Sequence, residues 1–268
     1  MKPHSGDSLL RGDWPEIVQK IRARTPARVL VGRVGAGYPT GTQMALRQAH
    51  AAARDAVRAE LDLAKQFGSE FVKKWGLFEV STAAGCKDEY LLKPHLGRTF
   101  AETARSELLR GCTAQNDLQI AIGDGLSVSA ISAQVPKVLP ALYDAAKARG
   151  WSLGQIFVIR HCRVGILNAI GELLAPLVAV LLIGERPGLA TAESLSAYMA
   201  YRPKRTQTDA DRNLISNIHA RGVSPEQAAV QIVKLAVDMM NFRTSGPQLT
   251  STPPAFRRMK VPDPPRCS

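Results

Sequence analysis

The run LVAVLLI, residues 177–183, constrains this chain more than any other stretch. A strand with one wet face alternates apolar and polar residues. An unbroken Val/Leu/Ile run has no polar position to offer water, so it needs cover on both faces, as in a parallel sheet flanked by helices. Gly184 ends the run, and a charged loop broken by glycine and proline follows: Glu185, Arg186, Pro187 and Gly188. Open α/β sheets bind their ligands in loops of this kind, at the carboxyl ends of buried strands. Even with the residues before it the run is too short to span a bilayer, and Pro176 interrupts it.

The rest of the chain fits such a sheet. From Gly111 onward, buried strands alternate with helices, and strands are expected at 118–122, 155–159, 177–183 and 195–201. The predicted fold is α/β, a Rossmann-like doubly wound parallel sheet over 111–246. A helix-rich N-terminal part precedes it (1–110), and a disordered Pro-rich tail follows (247–268). Helices are expected at 14–24, at 99–109, and as one long Ala-rich helix at 43–67 that lacks Gly and Pro. The segment 135–149 reads as a helix that either starts at Pro140 or kinks there. Ser224-Pro225-Glu226-Gln227 supplies an N-cap, a proline at the first helical position and a capping-box partner. The last helix should therefore start here and end near Arg243.

Two glycine loops invite a phosphate reading, and neither sustains it. GAGYPTG (35–41) is not followed by the Lys-Ser/Thr pair that a phosphate loop needs. Gly123-Asp124-Gly125-Leu126-Ser127 sits between a strand and a helix, the geometry that aims backbone N–H groups at a ligand. Its third fingerprint position is Val128, not glycine, which argues against a tightly packed nicotinamide. A glycine loop that lets a bulky planar ligand approach the backbone stays open, as does a stand-alone Rossmann-like nucleotide-binding enzyme.

The net charge of +12 in 268 residues admits nucleic acid, membrane surfaces or an acidic partner. The basic residues form no single block and few aromatics interleave with them, so no nucleic-acid module emerges. The same charge suits docking onto a larger acidic subunit. Cys86, Cys112, Cys162 and Cys267 form no C-x-x-C pair and have no histidines at zinc-ligand spacing, so free thiols and no metal site are expected. The N-terminus has no apolar signal core, so a cytoplasmic protein is expected. No nucleophile, base and orienter stand at recognisable spacing, and no catalytic residue is assigned.

IGERPGL (183–189) with TAESLSAYMAYRP (191–203) resembles the small (light) subunit of ethanolamine ammonia-lyase. ARVLVGRVG (27–35), IGDGLS (122–127) and ADRNLISNIHARG (210–222) extend the resemblance in the same order, over residues 27–246. The resemblance implies a non-catalytic subunit that completes an adenosylcobalamin site with a large barrel subunit, which binds ethanolamine. Cobalt–carbon homolysis would then start the radical conversion of ethanolamine to acetaldehyde and ammonia. It also leaves packaging in a bacterial microcompartment open. The family's cofactor contacts fall on Val164, Glu185 and Leu214, the last being a cysteine in the family. Asn217-Ile218-His219-Ala220-Arg221-Gly222 has Asn where a cobalt-ligating D-x-H-x-x-G motif has Asp. Asn cannot polarise the imidazole as a carboxylate does, and the family keeps the cofactor's own dimethylbenzimidazole on cobalt. His219 is therefore expected to be structural or to donate to the cofactor's periphery.

Overall fold

The computed structural model describes residues 15–25, 27–188 and 191–251. The expected buried run forms β4 (Val178–Gly184), every residue of which is buried. Beside it lies β2 (Leu118–Gly123), also buried throughout. The sheet is completed by β1 (Phe78–Ser81), β3 (Phe157–Arg160), β5 (Leu195–Tyr201) and β6 (Asn213–Ile218). Its six strands run in the order β1-β3-β2-β4-β5-β6.

The expectation of a parallel sheet is corrected here. β1, β3, β2 and β4 are parallel to one another, but β5 pairs antiparallel with β4 and β6 antiparallel with β5. The fold is α/β with a mixed sheet. The physical reason is the connection length. Among the described residues between Gly184 and Leu195 there is no helix to carry the chain back to the other end of the sheet, and the next strand returns beside β4.

Helix α7 (Val128–Lys147) joins β2 to β3, and α8 (Ile166–Leu174) joins β3 to β4. The first crossover steps from β2 outward to β3; the second steps back past β2 to β4. Such a reversal puts the crossover helices on opposite faces. The core divides accordingly. Ile120, Ile122, Val180 and Leu182 pack under α7, while Ala121, Leu181 and Ile183 pack under α8. The reversal also opens a crevice between the carboxyl ends of β2 and β4.

Other helices differ from expectation in instructive ways. The long N-terminal helix is split into α2 (Thr40–Arg58) and α3 (Leu63–Phe67), because the Asp62 side chain accepts from the Lys65 N–H and starts a new helix. A further helix, α1 (Glu16–Arg24), precedes them, and α4 (Ser69–Trp75), α5 (Lys87–Leu92) and α6 (Glu102–Gly111) follow. Helix α7 starts at the Ser127 cap and runs through both Pro136 and Pro140, neither beginning at Pro140 nor stopping there. Packing against the sheet and against α9 (Pro225–Phe242) holds it despite the lost N–H groups. Helix α9 has both hydrogen bonds of its capping box. The Pro-rich tail begins with a short helix, α10 (Pro247–Ser251); the rest of the expected disorder lies outside the described residues. No helix among the described residues is long and apolar enough to cross a membrane.

Glycine closes the crevice floor. Gly125 has φ +57°, and a Cβ there would overlap the Gly184 carbonyl oxygen; a Cβ on Gly184 would overlap the Ser127 carbonyl. The two loops touch backbone to backbone. Gly125→Ala and Gly184→Ala should each lower unfolding free energy by about 3 kcal/mol or more. Gly150→Ala is the control: its φ is +75° with no atom within 4 Å, so only conformational strain, about 1 kcal/mol, is expected. Urea denaturation of the purified variants checks this, and equal losses at all three positions would contradict the crowding.

Candidate functional site

The loops that leave β2, β3 and β4 meet at the crevice and enclose a cavity of about 410 Å³. Gly125 and Leu126 come from the first loop, Cys162, Arg163 and Val164 from the second, and Gly184, Glu185 and Arg186 from the third. Tyr90 of α5, Ser196 and Tyr198 of β5, and Leu214 and Ser216 of β6 complete the lining. Val164, Glu185 and Leu214, far apart in sequence, are brought onto one wall-sharing set. Val164 is half-buried at the entrance to α8, and the Leu214 side chain is 47% exposed on the edge strand.

Glu185 is the best-anchored of the three. Its carboxylate accepts from the Ser194 hydroxyl at 2.8 Å, the Ser196 hydroxyl, and the Asn217 N–H at 2.9 Å. A carboxylate offers about four acceptor positions. Three donors fix the orientation and leave capacity for one more from the cavity. Burial, then the Glu185 carboxylate, raise the Tyr198 phenol above its usual value.

The donor Asn217 has φ +61°, in the left-handed region that asparagine enters more readily than most residues with a side chain. His219 explains why it holds. Its Nε2 meets Asn217 Oδ1 at 2.7 Å, while its Nδ1 accepts from the Arg221 N–H at 3.2 Å. The ring is buried with both nitrogens engaged, so His219 is structural; it supports the strand end that donates to Glu185. His161 is equally occupied, with Nδ1 against Ala84 O at 3.1 Å and Nε2 against Glu60 at 3.3 Å.

Asp124 stitches the site's frame together. It is fully buried, and its two carboxylate oxygens accept separately from the His161 N–H at 2.9 Å and the Cys162 N–H at 2.8 Å. Lys87 Nζ of α5 lies 3.6 Å away, also buried. Burial pushes the Asp124 carboxyl above its ordinary range, and Lys87 and the two peptide N–H groups pull against that. The β3 loop is thereby locked to β2, which sets Arg163 and Val164 on the cavity wall. Tyr90 reinforces the lock by donating its hydroxyl to Cys162 O at 2.9 Å. Among the described residues no cluster of His, Cys, Asp and Glu could hold a metal, and Cys86, Cys112 and Cys162 are free thiols; Cys267 lies outside the described residues.

Comparison with known proteins decides which family this frame serves. The sequence model of the family described as ethanolamine ammonia-lyase light chain matches residues 15–250. The chain belongs to the ethanolamine ammonia-lyase light-chain family.

This light chain is 40% identical over 231 residues to the ethanolamine ammonia-lyase small subunit of Clostridium perfringens, covering 86% of this chain and 76% of that protein. It is 40% identical over 226 residues to the one from Clostridioides difficile, with 84% and 75% covered. With the small subunit of Clostridium acetobutylicum the identity is 37% over 234 residues, 87% of this chain and 94% of the relative. The alternative of a stand-alone nucleotide-binding enzyme finds no support among these matches.

Sequence reading missed several residues that build or support the light chain's cavity. Ser196 lies in β5 and Ser194 just before it; both orient Glu185, yet in sequence they look like ordinary polar positions. Asp124 was visible only as part of a glycine loop. The floor of that loop is approached by the chain's own Gly184, so the glycine's openness serves strand packing there. Lys87 carried no signal at all, since burial of a lysine cannot be read from KDEY.

The buried pair makes a direct test. Asp124→Asn leaves the Lys87 ammonium buried without a counter-charge, and about 3–5 kcal/mol of stability should be lost. Removing both charges with Asp124→Asn/Lys87→Met should recover at least half of that. Guanidinium denaturation measures both; a double variant no more stable than the single one would contradict the ion pair.

Proposed function

We propose that this light chain pairs with an ethanolamine ammonia-lyase large subunit and supplies one wall of an adenosylcobalamin site for converting ethanolamine to acetaldehyde and ammonia. The observation that carries the reading is the shared cavity of Val164, Glu185 and Leu214, in a chain of this family. A corrin is a broad, mainly apolar disc rimmed by amide side chains, which calls for apolar contact plus a fixed acceptor. The lining fits this demand. Val164, Leu126, Ile183 and Leu214 offer apolar surface, and Glu185 offers a carboxylate already oriented by three donors.

When bound, the cofactor supplies the radical that abstracts hydrogen from substrate. The light chain's own part is binding and orientation. Glu185 accepts from an amide N–H, because a pre-oriented carboxylate loses little entropy on binding. Val164 and Leu214 exclude water. Leu214 takes the place of a cysteine by apolar contact alone, for it has no thiol to offer. Neither His219 nor His161 is free to ligate cobalt, because each has both nitrogens engaged within the protein. This supports a cofactor that keeps its own dimethylbenzimidazole on cobalt. Ethanolamine contacts belong to the large subunit, since nothing lining this cavity forms a nucleophile–base set.

The test is reconstitution of this chain with a large subunit from the same source, assayed for acetaldehyde with adenosylcobalamin and ethanolamine. Product should form only from the mixture. Glu185→Ala should weaken cofactor binding about tenfold or more, the loss of one charge-assisted hydrogen bond, with a smaller effect on turnover at saturating cofactor. A complex that assembles but binds no corrinoid would overturn the proposal.

A further inference from the structure

A second cavity, of about 740 Å³, adjoins the first and shares Leu126, Arg163 and Arg186 with it. Arg54 and His50 of α2 line its far side. Its wall is therefore cationic: three guanidiniums face it, against the single carboxylate of Asp55. Among the described residues Arg54, Arg163 and Arg186 form no ion pair within 4 Å, with Asp55 or any other acid.

Arg163 is also held ready. Its guanidinium lies 4.3 Å from the Tyr90 ring centroid, and one terminal nitrogen donates to Tyr90 O at 3.4 Å. Its Nε is buried and has no hydrogen-bond partner. An orphaned buried N–H is costly to a folded chain, so this guanidinium is not fully satisfied by its own chain. Planar guanidiniums match phosphate oxygens in pairs, which separates an arginine cluster from generic positive charge.

We propose that Arg54, Arg163 and Arg186 form a phosphate subsite that holds the phosphodiester in the nucleotide portion of cobalamin. This rests on the cobalamin reading above and extends it. The corrin is served by the cavity around Glu185, and the one fixed anion of the cofactor is served by the adjoining cationic cavity. The two cavities share Leu126, Arg163 and Arg186, which puts both within reach of one ligand. Because α2 buries none of its residues against the rest of the chain, Arg54 can be substituted without touching the core.

The experiment uses the assembled complex with the large subunit and measures affinity, by absorbance titration, for hydroxocobalamin and for cobinamide, which lacks the phosphate and nucleotide. Arg54→Ala, at a residue that lines only the second cavity, should weaken cobalamin binding about tenfold and leave cobinamide affinity unchanged, and Arg186→Ala should weaken cobalamin more than cobinamide. Arg186→Lys should restore part of the loss, because it keeps the charge but not the fork. Inorganic phosphate should compete with cobalamin and not with cobinamide. Glu185→Ala should weaken both corrinoids. Equal losses for both ligands in the arginine variants, or none for either, would overturn the subsite and leave the cofactor reading standing. A wild-type complex that binds neither corrinoid would overturn both.

Discussion

One buried carboxylate carries the geometry of this molecule. Asp124 sits at the end of β2, and its two oxygens hold the first peptide N–H groups after β3. Buried charge is expensive, and here three partners offset the expense: two peptide N–H groups and the Lys87 ammonium. The partners come from two separate parts of the chain, the loop after β3 and helix α5. The loop after β3 and helix α5 are therefore fixed relative to the β2–β4 crevice by a single side chain. Where they stop, the cavity begins.

The crevice itself follows from topology. A crossover outward from β2 to β3 and then back to β4 leaves the carboxyl ends of β2 and β4 without a helix between them. Gly125 and Gly184 let those two ends close against each other, which makes a floor rather than a slot. The antiparallel return through β5 and β6 then builds the remaining wall. It carries Ser194 and Ser196 to Glu185 on one side and the Asn217 N–H on the other. A purely parallel sheet would have placed the strand after β4 at the opposite end, and Glu185 would have lacked its donors.

The legible parts of the chain were those where one physical demand acts alone. The buried run at 177–183 could satisfy only a strand covered on both faces. Ser224-Pro225-Glu226-Gln227 could do little but start a helix, and both of its reciprocal hydrogen bonds form. The illegible parts were those where tertiary contacts overrule local preference. Helix α7 keeps two prolines because its neighbours hold it. The 43–67 segment looked like one helix, yet Asp62 restarts it. Strand β6, NLISNI, gave no alternation to read, because only Ile215 and Ile218 are buried, Leu214 and Ser216 line the cavity, and Asn213 is tied to Gly246.

The sequence by itself determined the α/β class, the order of the central strands and helices, the family, and the loop on which Glu185 sits. Those follow from periodicity, capping chemistry and runs of residue types, all of them local along the chain. Only the tertiary structure decided strand direction beyond β4, the company that Glu185 keeps, the occupied state of His219, and the meeting of Arg54 with Arg163 and Arg186 around one cavity. These depend on distances between residues remote in sequence. Burial, which turns an ordinary Asp124 or Lys87 into a frame member, is a property of the packed chain and leaves no mark on the string of letters.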